Sequence, residues 1–323
     1  MDLCALSSIG AGLNRPESVL ATSNGDVWAA HWAGGGVSRI RPDGSVRHHL
    51  PKNPVADIHP NGIALMPDGS FLLANLGDAG GIWQLTQKGA LKPFLTDIEG
   101  KALPPCNFVS VDAKGRIWIS VSTRRAPRAL AYRGDVADGF IIMMDENGPQ
   151  IVADALGYTN EILVSPCGQW LYANETFGRR LTRFPVLPTG GLGACETVAA
   201  FGRGLFPDGL AFDEQGGIWI ISIISNCIVR IAPDGHAATI LKDYDPYFLD
   251  EVETAFAAGT MGRAHLDANK SAKLRNISSI GFAGKDRRTA ILGCLLGDHL
   301  QTFRTPFTGV EPVHWHWNVQ INE

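Results

Sequence analysis

The sequence predicts an all-β fold: a six-bladed β-propeller of four-stranded antiparallel blades, with a short helical insertion before blade six. Three observations carry that reading. Short apolar runs alternate with turn signals along the whole chain, and few stretches keep a helical period. One template recurs six times: a side-chain acid or amide, a Gly eight residues later in a turn, then a β-rich run. Its starting residues, Glu17, Asn61, Asn107, Asn160, Asp208 and Asn276, lie 44, 46, 53, 48 and 68 positions apart. Repeats of about 40–50 residues with several short strands each mark propeller blades.

The first unit parses in full. Its strands are expected at about 17–22, 26–31, 36–41 and 45–50, with turns at Asn24-Gly25 and Pro42-Asp43-Gly44. Asn-Gly and Asp-Gly supply the positive φ angles that tight hairpins need. The matching turn glycines of the later units are Gly69, Gly115, Gly168, Gly216 and Gly284. Three positions after the turn glycine stand Trp28, Leu72, Trp118, Leu171 and Trp219, and only the sixth unit departs, with Arg287. Two insertions interrupt the pattern. One, about 122–139, falls between the second and third strands of blade three. The other, about 243–275, separates blades five and six, and its Phe248–Phe256 stretch has helix-like apolar spacing. Residues 1–323 are therefore read as a single domain. Ring closure has two solutions: residues 3–10 add a strand to blade six, or blade six supplies all four of its own.

Composition narrows the function. Hydrophobic residues make up 45% and charged residues 19%, enough apolar material for a large core. The net charge of −4 leaves no basic footprint for nucleic acid. No apolar run approaches a membrane span, and the N-terminus lacks the pattern of a secretory signal. The six cysteines, at 4, 106, 167, 195, 227 and 294, show no C-x-x-C pair. Reduced thiols in a cytoplasmic protein fit that spacing better than a disulfide framework.

In a propeller the innermost strand of every blade lines the axis, so equivalent residues meet there. Glu17, Asn61, Asn107, Asn160, Asp208 and Asn276 are thus expected in a ring at one mouth of the central channel. Asn and Asp are common turn formers, but six of six in one register, with no apolar exception, point to the axis. Pro-Asp-Gly occurs at 42–44, 67–69, 207–209 and 233–235; only Asp208 falls at a ring position. Two carboxylates with several amide oxygens, and no Cys or His, suit one hard divalent cation. Ca²⁺ comes first, with Mg²⁺, Mn²⁺ or Zn²⁺ as alternatives.

The segments R-P-E-S at 15–18, P-N-G-I-A at 60–64 and C-N-F-V-S-V-D-A-K-G-R-I-W at 106–118 carry a resemblance. So do T-N-E-I-L-V-S-P-C-G-Q-W-L-Y at 159–172, P-D-G-L-A-F-D at 207–213 and R-N-I-S-S-I-G-F-A-G at 275–284. In this order and spacing the chain resembles the senescence marker protein, gluconolactonase and luciferin-regenerating enzyme family, over roughly residues 12–307. The resemblance implies Ca²⁺ or another divalent ion held by Glu17, Asn160 and Asp208, with Asn107 binding metal or substrate. It also implies lactone hydrolysis. Three departures stand out: Phe108 where the family usually has Asp, Pro105 where many sugar lactonases have Arg, and Glu161 where Gly is common.

The expected chemistry is metal-assisted hydrolysis of a lactone or small ester, with the ion polarising the carbonyl and Asp208 as base. Both insertions should overhang the ring, and the blade-three loop brings Arg124, Arg125 and Arg128. Asn107, Asn61, Asn276, Arg124 and His31 are the expected substrate contacts. Trp32 and Asn226 belong to the rim, and Tyr158 and Glu175 are candidate supporting residues. His314-Trp315-His316-Trp317 alternates like an outermost strand of blade six, far from the axis. Two other functions fit the same fold: a phosphotriesterase or arylesterase using the same metal site, and a non-catalytic binding module.

Overall fold

The computed structural model describes residues 1–188, 190–317 and 319, and in it six four-stranded antiparallel sheets surround one axis. Blade one comprises Val19–Ala21, Val27–His31, Gly36–Ile40 and Val46–His49, within two residues of the sequence expectation. The innermost strands of blades two to six are Pro60–Leu65, Phe108–Val111, Thr159–Val164, Phe206–Phe212 and Ile277–Ala283. Each touches the next, and Ile277–Ala283 returns to Val19–Ala21. The ring is closed.

Closure follows the first of the two solutions. Ser7–Ile9 pairs antiparallel with Leu300–Arg304, Ser7 opposite Thr302, and becomes the outer strand of blade six. An outer edge that would otherwise expose unpaired amides is thereby covered. His314–Trp317 therefore does not form that outer strand. It is a turn in which Trp315 is buried and His314 half-buried, and Trp315 packs with Leu13, Val19, Ala21 and Ile291. Burial pushes the His314 imidazole down to about 4. His316 faces outward and lies 3.2 Å from Glu311.

The repeated Trp positions explain how the blades hold together. Trp28, Trp118 and Trp219 are fully buried, as are Leu72 and Leu171 at the same register. Trp118 Nε1 donates to Asp112 (2.9 Å) and Trp219 Nε1 to Asp213 (2.7 Å). Each Asp also accepts from an arginine, Arg116 or Arg230, at 2.7 and 2.6 Å. In these two blades a large apolar ring is thus buried with its one donor satisfied, whereas Trp28 Nε1 in blade one has no partner.

The second insertion forms two helices, α1 (Pro246–Ala257) and α2 (Arg263–Asp267). Asp245 caps α1 by accepting from Phe248 N at 2.8 Å, and Pro246 sits in the first turn, where its missing N–H costs nothing. Phe248, Leu249 and Val252 of α1 and Leu266 of α2 pack with Ala131, Tyr132 and Val136 of the blade-three insertion. Tyr158, Phe177, Phe206 and Ile223 of the blades complete that cluster. The two insertions share one apolar core at the ring mouth.

Candidate functional site

All six ring residues are 2–4% exposed. Local backbone geometry explains their placement. In blades two, four and five the inner ladder skips from Pro60 to Ile63, Thr159 to Ile162 and Pro207 to Leu210. At each bulge the ring residue and its successor leave the ladder and are re-aimed. Blades two and five place Gly62 and Gly209 after the ring residue. A Cβ there would stand 2.6 Å from Phe108 Cα or from the Ser278 carbonyl, so only glycine lets neighbouring strands approach. Blade four has Glu161 instead, and its side chain turns into the channel.

Three buried oxygens of the ring have no hydrogen-bond partner: Glu17 Oε2, Asn160 Oδ1 and Asp208 Oδ1. They come from blades one, four and five. Surrounding bonds fix their orientation. Asn160 Nδ2 donates to Thr176 Oγ1 (3.0 Å), which donates to the Pro207 carbonyl (2.8 Å), so the amide oxygen is the atom left over. Asn174 Nδ2 donates to the Asp208 and Gly209 carbonyls at 3.0 Å and holds the blade-five bulge. Buried oxygens without donors are costly, and a cation would satisfy all three. Two carboxylates and an amide suit a hard divalent ion. Among the described residues no three Asp, Glu, His or Cys side chains gather as a metal cluster; the candidate set needs the amide.

Electrostatics agree with that donor set. Burial raises the Glu17 carboxyl to about 7, against the pull of Arg15, a hydrogen bond from Asn61, and Arg128. Burial also drives Asp208 well above the usual carboxylate range, with Glu17 and Glu161 adding repulsion. Glu161 is raised for the same reasons, although its Oε2 accepts from Leu210 N at 2.7 Å. All three acids are thus buried and raised, with Glu17 repelling both of the others.

The other expected contacts divide. Asn61 Nδ2 donates to the Asn107 carbonyl (3.1 Å) and lies 3.4 Å from Asn107 Oδ1, linking two ring members. Asn276 is committed to structure: its Oδ1 accepts from Ile224 N (2.6 Å) and its Nδ2 donates to the Leu266 carbonyl of α2 (2.8 Å). Asn226 likewise ties blade five to Ile277 N and Ser271. His31 bonds Ser38 at 2.9 Å and lies against His48, within its own blade; burial, then His48, lowers it to about 4. Arg124 forms a bidentate pair with Asp154 at 2.8 Å on the outer strand of blade three, away from the ring. Glu175 is bound by Arg180 and Gly157 N and supports the turn before Tyr158.

Two residues at the mouth were not singled out from sequence. Arg15 lies over the Trp32 ring at 4.1 Å, and Trp32 stacks on His59 at 4.7 Å. Glu161 was noted only as a departure. The signal for Arg15 was available, since it stands two residues before Glu17 as Tyr158 stands two before Asn160. Both have φ in the left-handed region, 44° and 67°. An axial cavity of about 490 Å³ lies beyond Glu161, toward the far mouth, where Pro312, Val313 and Trp317 line it. It shares only Glu161 with the three-acid cluster.

Six four-stranded blades closed around one axis, with unpartnered buried oxygens on the inner strands, define the class as a six-bladed β-propeller with a polar axial ring. Residues 53–242 match the family model described as SMP-30/Gluconolactonase/LRE-like region, and the chain belongs to that family. A 6-deoxy-6-sulfogluconolactonase from Pseudomonas putida is 30% identical over 175 residues, 53% of this chain and 56% of that protein. The alignment therefore spans just over half the length of that relative. A gluconolactonase from Xanthomonas campestris superposes with a TM-score of 0.68 at 19% identity, covering 93% of this chain and 89% of that one. A calcium-binding regucalcin from Agrobacterium tumefaciens superposes at 0.66 and 17% identity, covering 96% and 95%. At these identities the structural likeness establishes the fold. No helix among the described residues is long and apolar enough to cross a membrane.

Proposed function

We propose that the protein is a divalent-metal-dependent hydrolase that opens a lactone, acting at the mouth formed by Glu17, Asn107, Asn160 and Asp208. One observation carries the reading: three orphaned buried oxygens, two of them carboxylate, from Glu17, Asn160 and Asp208. The lactonase relative and the calcium-binding neighbour support both the reaction class and Ca²⁺. When bound, a divalent ion there would supply Lewis-acid polarisation of the substrate carbonyl.

The chain's own residues do the rest. Glu17, Asn160 and Asp208 hold the charged mouth in fixed orientation through Thr176 and Asn174. Asp208 takes the proton of the attacking water as the water oxygen bonds to the carbonyl carbon; the ring C–O bond then breaks and the proton passes from Asp208 to the leaving ring oxygen, giving the hydroxy acid. Asn107 and Asn61 offer amide groups to the substrate's oxygens. The apolar core shared by the two insertions keeps bulk water from the mouth. Six free thiols agree with a reducing, cytoplasmic setting.

The test is a panel of lactones, an aryl ester and a phosphotriester, followed by pH-stat with matched metal analysis. Lactone turnover that stops on chelation and returns with Ca²⁺ supports the reading. Asp208→Ala should lower kcat about 10²- to 10⁴-fold, the range for losing a general base. Preferred turnover of the phosphotriester, or turnover indifferent to chelation, would overturn it.

A further inference from the structure

The mouth carries a charge imbalance that the proposed reaction does not use. Elsewhere in the fold, arginines with little exposure have a carboxylate at hand. Arg39 meets Asp26 at 2.5 Å, Arg116 meets Asp112 at 2.7 Å, Arg179 meets Glu253 at 2.8 Å and Arg230 meets Asp213 at 2.6 Å. Arg15 and Arg128 are the exceptions at the ring. Neither has a carboxylate within ion-pair distance among the described residues; Nε of each is buried without a partner, as is Nε of the paired Arg39 and Arg179, so the missing carboxylate is what sets them apart. Arg15 is held flat over Trp32 at 4.1 Å. Arg128 sits over Tyr158 at 5.4 Å, with Nη2 donating to Ser122 Oγ at 3.1 Å.

Trp32 follows the second strand of blade one and Tyr158 precedes the inner strand of blade four, and both guanidinium groups act electrostatically on Glu17 and Asp208. Arg263 of α2 approaches as well but is balanced by Asp267 at 2.6 Å. A divalent cation would be neutralised by Glu17 and Asp208, leaving the charges of Arg15 and Arg128 uncompensated. Half-buried cations without a counter-ion are costly. A ligand anion would remove that cost, and Arg presents a fork suited to planar or tetrahedral oxyanions.

We infer that Arg15 and Arg128 form an anion-recognition site beside the metal mouth, so that the substrate is a lactone carrying a second, permanently ionised group such as a sulfonate, phosphate or carboxylate. The inference rests on the lactonase reading for the word lactone, but the anion site stands on the arginines alone. Arg15 and Arg128 are specificity residues in this account. Pro105, which leaves blade three without the arginine common in sugar lactonases, fits a site whose cations enter from other elements.

Calorimetry with the Ca²⁺-loaded protein separates the possibilities, using gluconate, glucarate and 6-phosphogluconate as stable product-like probes. Glucarate and 6-phosphogluconate, each with a second anionic group, should bind more tightly than gluconate. Arg15→Met and Arg128→Met should each weaken these two about 10- to 100-fold, the equivalent of one charge-assisted hydrogen bond, and leave gluconate within about twofold. Arg124→Met, whose pair with Asp154 is remote from the mouth, should change none of the three. If a Met variant fails to fold, a salt titration of the parent serves instead: affinity for glucarate and 6-phosphogluconate should fall with ionic strength more steeply than gluconate affinity. Equal affinity for all three probes, or uniform weakening in the variants, overturns the anion site. Absence of lactone turnover with charge selectivity intact would sink the hydrolase reading and leave the anion site in place.

Discussion

Glu17→Gln should stabilise the metal-free protein while abolishing its stabilisation by metal. The buried Glu17 carboxyl is raised from 4.5 to about 7, a net value that already includes attraction from Arg15 and Arg128. A carboxyl raised on folding favours the folded state below its unfolded pKa, and that advantage is lost as pH climbs from about 4.5 to about 7. Above that window ionised Glu17 costs the chelated protein about 3 kcal/mol, at about 1.4 kcal/mol per pH unit. Glutamine keeps the shape and removes the charge. For a chain of this length that corresponds to about 4–5 °C in Tm. In EDTA at pH 8 the variant should therefore melt later than the parent, and at pH 4 the two should coincide. With Ca²⁺ at about 100 times Kd the parent alone gains about 2.7 kcal/mol and the gap should close, and at about 1,000 times Kd, a gain of about 4.1 kcal/mol, the order should reverse. A scan of Tm against pH, with and without metal, reads all four conditions. A variant that melts earlier in EDTA at pH 8, or gains equally at pH 4 and 8, would refute the claim that the ring acids are held apart from their preferred charge state by burial.

Other consequences are simpler. Asp213→Asn should cost about 3–5 kcal/mol in denaturant unfolding, since it strands the buried Arg230 charge; a loss under about 1 kcal/mol would mean the pair is not a structural anchor. Deleting residues 1–9 removes the outer strand of blade six and should lower Tm by about 3 °C or more; light scattering should also rise as the edge is bared. An unchanged melting curve would contradict the closure. Glu161→Gln should leave kcat within about threefold, because burial already disfavours the charge that the amide removes. A loss of about 100-fold or more would make Glu161 a proton acceptor in the reaction.

The blades and ring were readable because they recur: a template that returns six times exposes its register, and register alone put Asp208 at the axis rather than in a turn. Helix α1 was readable from its apolar spacing. The parts that misled are those where one local pattern admits two packings. His314-Trp315-His316-Trp317 alternates like a strand, yet it forms a turn that buries Trp315, half-buries its neighbour His314 and leaves His316 exposed. Ser7–Ile9 is too short for any period to show, so both closures stayed open. Arg124 and Arg128 belong to one loop and differ in sequence by nothing that says which meets Asp154. That depends on a strand partner 30 residues away. Asn276 satisfies the ring template and still spends both ends of its amide on Ile224 and Leu266.

Glu161 shows how a single departure from the family pattern alters the charge logic of the whole mouth. Its Oε2 accepts from Leu210 N–H, which leaves Oε1 as the atom with no partner, and burial with repulsion from Glu17 disfavours its charged form. Glu17 and Asp208 are the two ring acids, and together they would balance a divalent ion. A charged Glu161 would offset one of the two free arginines, and the mouth would demand less of its ligand. Burial that disfavours charge on Glu161 keeps Arg15 and Arg128 available. Metal affinity and ligand charge are then coupled through one residue that touches neither guanidinium. The bulge at Asn160-Glu161 sets both terms, because the same backbone step aims Asn160 Oδ1 at the ring and Glu161 down the channel.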